Sequence, residues 1–212
     1  MIRTQIDVTA EEMEEVALRL GLDQCVNAQF SWLFLGQLAA HWRLRSQVNV
    51  WSLRDEVFAL EGVQGQTRTK RETQFTAGKL RGFWHKHFFS GAVLPCNCLR
   101  ECAKGDVASG QANFSQLENV IERHMRGGHT EENVKRLSHT VVMRAFKGRS
   151  ASRALTGSWI VFAKHGSQNH YLAISPHGGD TNFMYDEIKK HCNEQFPFLF
   201  PPQSGVTSHR VV

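Results

Sequence analysis

Apolar residues recur at helical spacing through the first sixty positions of the chain and gather into two short runs, Trp159–Ala163 and Tyr171–Ile174, either side of a glycine turn, which predicts helices first and a sheet later. Thr9 and Glu12 make a capping box ahead of Met13, Val16, Ala17 and Leu20, so a first helix should run to Gly21. In "CVNAQFSWLFLGQLAAHW", Phe30, Leu33, Phe34, Gln37, Leu38 and His41 fall near helical spacing and predict a central buried helix. "VWSLRDEVFAL" predicts another before Gly62, and "GVQGQTRTKRETQFTAG" reads as a loop or exposed hairpin. Residues 91–110 are punctuated and irregular.

Ser115 with Glu118 forms a second capping-box pattern, for a helix stopping at Gly127 and Gly128. Thr130, Glu131 and Glu132 open the next, whose stripe is Val134, Leu137, Val141, Val142 and Ala145. The period then changes. "SWIVFAKHGSQNHYLAIS" predicts a β-hairpin turning at Gly166 and Ser167. Its pairing puts His170 on one face with Trp159, Val161, Ala163, Leu172 and Ile174. Asp180 or Thr181 then caps a last helix carrying Met184, Ile188, Cys192 and Gln195. The fold class is therefore α+β: a mainly helical N-terminal half packed on a small antiparallel β-sheet, with a C-terminal helix.

"LRGFWHKHFF", residues 80–89, fits two periods. As a helix it places Leu80, Phe83, Trp84 and His87 on one face, and stacks Arg81 on His85. As a strand it puts Arg81, Phe83, His85 and His87 together. Either way the aromatic residues are core candidates.

The 212-residue length suits one compact domain, with a helical acidic part (1–64), a basic irregular part (65–110) and a final part of helices, hairpin and helix (111–200). No apolar run approaches membrane-spanning length, and the first twenty residues lack a signal peptide's apolar centre, so a cytoplasmic, membrane-free protein is expected. Five cysteines, an odd number, suggest thiols or metal ligands rather than a disulfide framework.

Charge sharpens the picture. The net +5 is spread unevenly: residues 1–64 carry −4, residues 65–104 carry +6 and the remainder +3. The basic middle contains Arg68, Lys70, Arg71 and Lys79, candidate nucleic-acid contacts for RNA or another polyanion.

Metal-independent RNA cleavage needs a base, an acid and a cation for the phosphoryl charge. Two segments supply them: Arg81, His85, Lys86 and His87, and Lys164, His165 and His170. In the expected scheme His85 or His165 is the base and His87 or His170 the acid, with Arg81, Lys86 and Lys164 binding charge. His, Lys and Arg on an antiparallel sheet behind helices resembles small RNA-cleaving toxin domains, which implies a ribonuclease of toxin or defence type, with an inhibitory protein as a possible partner. The Arg81-x5-His87 spacing is similar to that of all-helical RNA-cleaving domains, although Arg123 and His129 repeat it.

Two other chemistries compete. The order Cys25, His170, then Asp180 or Asp186 resembles papain-like peptidases, with Gln24 as an oxyanion donor, and implies a cysteine hydrolase; Val26, Asn27 and Ala28 depart from that family's glycine-rich context. Cys96, Cys98 and Cys102, with His85 and His87, offer ligands for a structural zinc, although no cofactor is required by the main expectation. "SPHGGD", with His177 and Asp180, marks a pocket rim. The third expectation is a non-catalytic basic module that binds nucleic acid or protein.

Overall fold

The computed structural model describes residues 7–46, 48–90, 98, 101, 114–151, 157–176 and 178–201. Helix α1 (Ala10–Arg19) forms where its capping box predicts, with Thr9 and Glu12 each accepting the other's backbone N–H. The apolar segment after it is not one helix. A short 3-10 turn (Leu22–Gln24) leads into strand β1 (Gln29–Phe30), and helix α2 (Trp32–Arg43) begins only beyond Ser31. The Ser31 hydroxyl starts that helix by accepting the Phe34 N–H at 2.9 Å. Helix α3 (Val50–Leu60) follows, capped by Asn49.

The "LRGFWHKHFF" stretch is a strand, not a helix. The Phe75 N–H donates to the Phe83 carbonyl and the Gly82 N–H to the Phe75 carbonyl, closing a turn from which strand β2 (Thr73–Gln74) runs antiparallel to strand β3 (Trp84–Phe88). Arg81 lies in the turn, where Gly78 and Gly82 adopt the positive φ that a bend this tight requires. Helices α4 (Ser115–Met125) and α5 (Glu131–Ala151) pack together, tied by His124 Nε2 to Thr140 Oγ1 at 3.1 Å. Helix α4 is not capped by Ser115, which is its first helical residue; Phe114 precedes it without a side-chain cap.

Strands β4 (Ser158–His165) and β5 (Gln168–Ser175) form the expected hairpin, with Gly166 at positive φ in the turn. The sheet order is β1-β5-β4-β3-β2. It is mixed rather than purely antiparallel, because β1 joins β5 in parallel. One residue interrupts the hairpin register: Phe162 faces Tyr171 but Val161 faces Ala173, leaving Leu172 as a bulge. Trp159, Val161, Ala163, His170 and Leu172 share a face as expected. Beyond the bulge the alternation inverts, so Ile174 turns to the opposite face.

Each face has its own core. Helices α1 to α3 cover Phe88, Ile160, Phe162, Tyr171 and Ile174; the fully buried Phe34 and Leu38 of α2 anchor this layer. Helix α6 (Thr181–Cys192), capped by Asp180, covers the other face through Met184, Ile188 and Cys192, against Leu80, Phe83 and Val161. A 3-10 turn (Pro197–Leu199) and Phe200 close that side. No helix among the described residues is long and apolar enough to cross a membrane.

Candidate nucleic-acid interface

Strand alternation separates the "WHKHF" side chains. Trp84, Lys86 and Phe88 face α3, whereas His85 and His87 face the other way, beside Trp159. Lys86 is therefore buried under α3, where its ammonium lies 3.1 Å from Glu56, 2.8 Å from Thr69 Oγ1 and 2.6 Å from the Lys70 carbonyl. An ammonium has three protons, so every donor is committed. Glu56 also accepts the Thr67 hydroxyl. Burial pushes the Glu56 carboxyl above its ordinary range, and Lys86 pulls it back down.

This pair clamps a loop. From Thr67 the chain alternates, with Thr67 and Thr69 turned inward to the Glu56–Lys86 pair and Arg68 and Lys70 exposed; Arg71 follows, also exposed. Two clefts flank the loop. One, of about 290 Å³, is lined by Gln66, Thr67, Thr69, Arg71, Glu72 and Lys86. The other, of about 440 Å³, is lined by Gln66, Thr67, Arg68, Phe146, Lys147 and Ser150. Arg68 reaches the end of α5 through a 3.3 Å bond to the Ser150 hydroxyl. At the first cleft's edge Glu72 holds Lys164 at 3.5 Å, and the Lys164 ammonium sits 4.2 Å from the Trp84 ring centroid. Basic side chains, polar hydroxyls and aromatic rings thus meet around one rigid segment.

The other nominated residues lie elsewhere. Lys79 pairs with Asp186 at 2.8 Å, away from the loop. Arg81 is exposed in its turn. His85 is packed between Phe75 and Trp159, with ring centroids 4.6 and 4.9 Å away. The His87 Nδ1 faces both the carbonyl and the amide of Gly157, at 3.1 and 3.3 Å. His165 shares the face of His85 but follows Val161, the partner of His85, by four positions, or roughly 13 Å along the strand. Lys164 points to the opposite face. The two histidine segments therefore form no common cleft.

The cysteine constellation does not assemble either. Cys25 sits with Tyr171 in the core under α1 to α3, whereas His170 packs on Phe196 across the sheet. Burial, then Glu61 and Asp23, pushes the Cys25 thiol up to about 11, the reverse of nucleophile activation. Asp186 is largely exposed and taken by Lys79. Asp180 spends its carboxylate on the Asn182 and Phe183 amides. Cys96, Cys102 and His177 lie outside the described residues. Cys25, Cys98 and Cys192 are free thiols, and no group of three or more His, Cys, Asp or Glu among the described residues is placed to hold a metal ion.

Sequence reasoning missed the clamp itself. Its signals were Glu56 intruding on the apolar stripe of Val50, Leu53, Val57 and Leu60, and the Thr-Arg-Thr-Lys alternation in a segment read only as a loop. The chain matches no protein-family model, no curated protein and no solved structure.

Proposed function

We propose that this protein binds single-stranded RNA along the Gln66–Glu72 loop, as a cytoplasmic binding module rather than through a catalytic centre. The observation that carries this reading is the clamp: a buried ion pair and two threonines fix the loop's backbone and leave Arg68, Lys70 and Arg71 outward. A preorganised cationic segment loses less entropy when it meets a phosphate backbone. Phe146, lining the second cleft, offers a ring for an unstacked base, the usual means of gripping single strands.

Photo-crosslinking of a 4-thiouridine oligoribonucleotide, followed by peptide mass spectrometry, tests the assignment. Adducts should map to residues 66–72 and to the end of α5. Adducts confined to the β4–β5 hairpin would shift the interface to the exposed Lys164 and His165 and refute the loop assignment.

A further inference from the structure

The side of the sheet facing α6 carries a second, unrelated device. His170 is 4% exposed, and its Nδ1 has no hydrogen-bond partner. Its ring is boxed by Phe196 and Phe198, with centroids at 5.0 and 5.3 Å and near-perpendicular planes, and His165 lies at 6.2 Å. His165 is exposed and packs on the far side of the box, 4.4 Å from Phe198, itself 45% exposed. The lid of the box is therefore residues 193–201, the strap that follows α6.

Few bonds hold the strap. The Gln195 side-chain carbonyl accepts the Trp32 N–H at the start of α2, and the Phe196 amide donates to the Cys192 carbonyl, both at 2.8 Å. Phe200 packs on Phe83 and Tyr185. The Leu199 and Phe200 amides bond only within the strap. An aromatic box suits a neutral imidazole and penalises an imidazolium, which the surrounding rings solvate poorly.

We propose that the 193–201 strap is an acid-released latch, closed over neutral His170 and opened when that ring takes a proton. The charged groups on the surrounding elements do not stabilise the cation. On the strap itself Glu194 is exposed; on α6, Glu187 pairs with His191 and Asp186 with Lys79, while Lys189 and Lys190 add only positive charge. On β4, Lys164 turns to the other face; on β5, Asn169 turns away to Glu61; and β1 offers only Gln29 beside His170. Among the described residues His165 is the titratable neighbour that acts on it, and once protonated it repels the same proton. Burial, then His165, lowers His170 below its ordinary 6.5, while the Gln168 backbone opposes this. Closure is therefore fully favoured above 6.5 and weakens as pH falls from there through the lowered value. Opening would free the N-terminus of α2 and bare Phe196 and Phe198.

Hydrogen–deuterium exchange on the full chain at pH 7.5 and 5.5, corrected for intrinsic rates, tests the latch. The Phe196, Leu199 and Phe200 amides should open more at pH 5.5, by up to about tenfold, the ceiling set by an open-state imidazole of ordinary pKa taking up the proton while the closed-state ring stays neutral. Amides of α2's second half and of β4 should not change. In His170→Phe, which keeps the box apolar, the response should vanish while far-UV circular dichroism stays native. His165→Gln should retain most of it. A pH-independent strap in the wild type, or a response that survives His170→Phe or is lost only in His165→Gln, overturns the proposal.

Discussion

Replacing Lys86 with methionine keeps most of the side-chain volume but removes the ammonium that ties Glu56, Thr69 and the Lys70 carbonyl together. Both partners of the pair are almost fully buried, at 7% and 3% side-chain exposure, so solvent cannot replace the missing charge. Breaking a buried pair from one side typically costs about 3–5 kcal/mol, because the remaining ion is stranded. The expected deficit at neutral pH is of that order, measured by urea unfolding. It should also depend on pH. Burial raises the Glu56 carboxyl in the folded protein above its ordinary 4.5, so the folded state holds more protons than the unfolded one between those values. Glu56's contribution to stability is therefore present below 4.5 and is lost as pH rises through the folded value. Lys86 opposes that rise; without it the window widens upward. The Lys86→Met deficit should shrink as pH falls toward 4.5, where Glu56 can bind a proton instead. Glu56→Leu combined with Lys86→Met should recover most of the loss, since an apolar pair has no charge to strand. A deficit under about 1 kcal/mol at neutral pH, or one that does not change with pH, would refute a buried pair that matters to the loop.

Two other sites are open to direct test. A β-carbon at Gly157 would overlap the Phe88 carbonyl where β3 meets β4, so Gly157→Ala should cost several kcal/mol in thermal or urea unfolding, roughly the upper range for single mutations; a near-neutral effect would mean that this edge of the sheet yields easily. Cys25, with its thiol raised to about 11 and its side chain in the core, should resist iodoacetamide at pH 7.4 for as long as the fold persists; labelling at the rate of a free thiol, followed by peptide mass spectrometry, would contradict its burial.

Local signals were the legible ones. The Thr9–Glu12 box, the Asp180 cap and the Gly166–Ser167 turn each act over a few residues, and each forms where the residues imply it. What escaped depends on partners far along the chain. Phe30 lies in helical spacing with Phe34, yet it is drawn into β1 because Tyr171, 141 positions later, stacks on its ring at 5.1 Å and pairs with it. The Leu172 bulge has no glycine or proline to announce it, so the side on which Ile174 falls could not be read from alternation. At the candidate interface, composition pointed to Arg68, Lys70 and Arg71, and the alternation of β3 explains why Lys86 parts company with His85 and His87. The ribonuclease expectation grouped residues by proximity in sequence, which a strand divides between two faces.

The central claim is that Arg68, Lys70 and Arg71, held outward by the Glu56–Lys86 clamp, engage a phosphate backbone. Fluorescence anisotropy of a labelled single-stranded oligoribonucleotide across a salt series measures this directly. The wild type should show affinity falling linearly on a log–log plot, and Arg68→Gln with Arg71→Gln should flatten that slope by about 0.7 for each phosphate that is no longer neutralised. A wild type that does not bind, or a slope unchanged by both substitutions, would contradict the account.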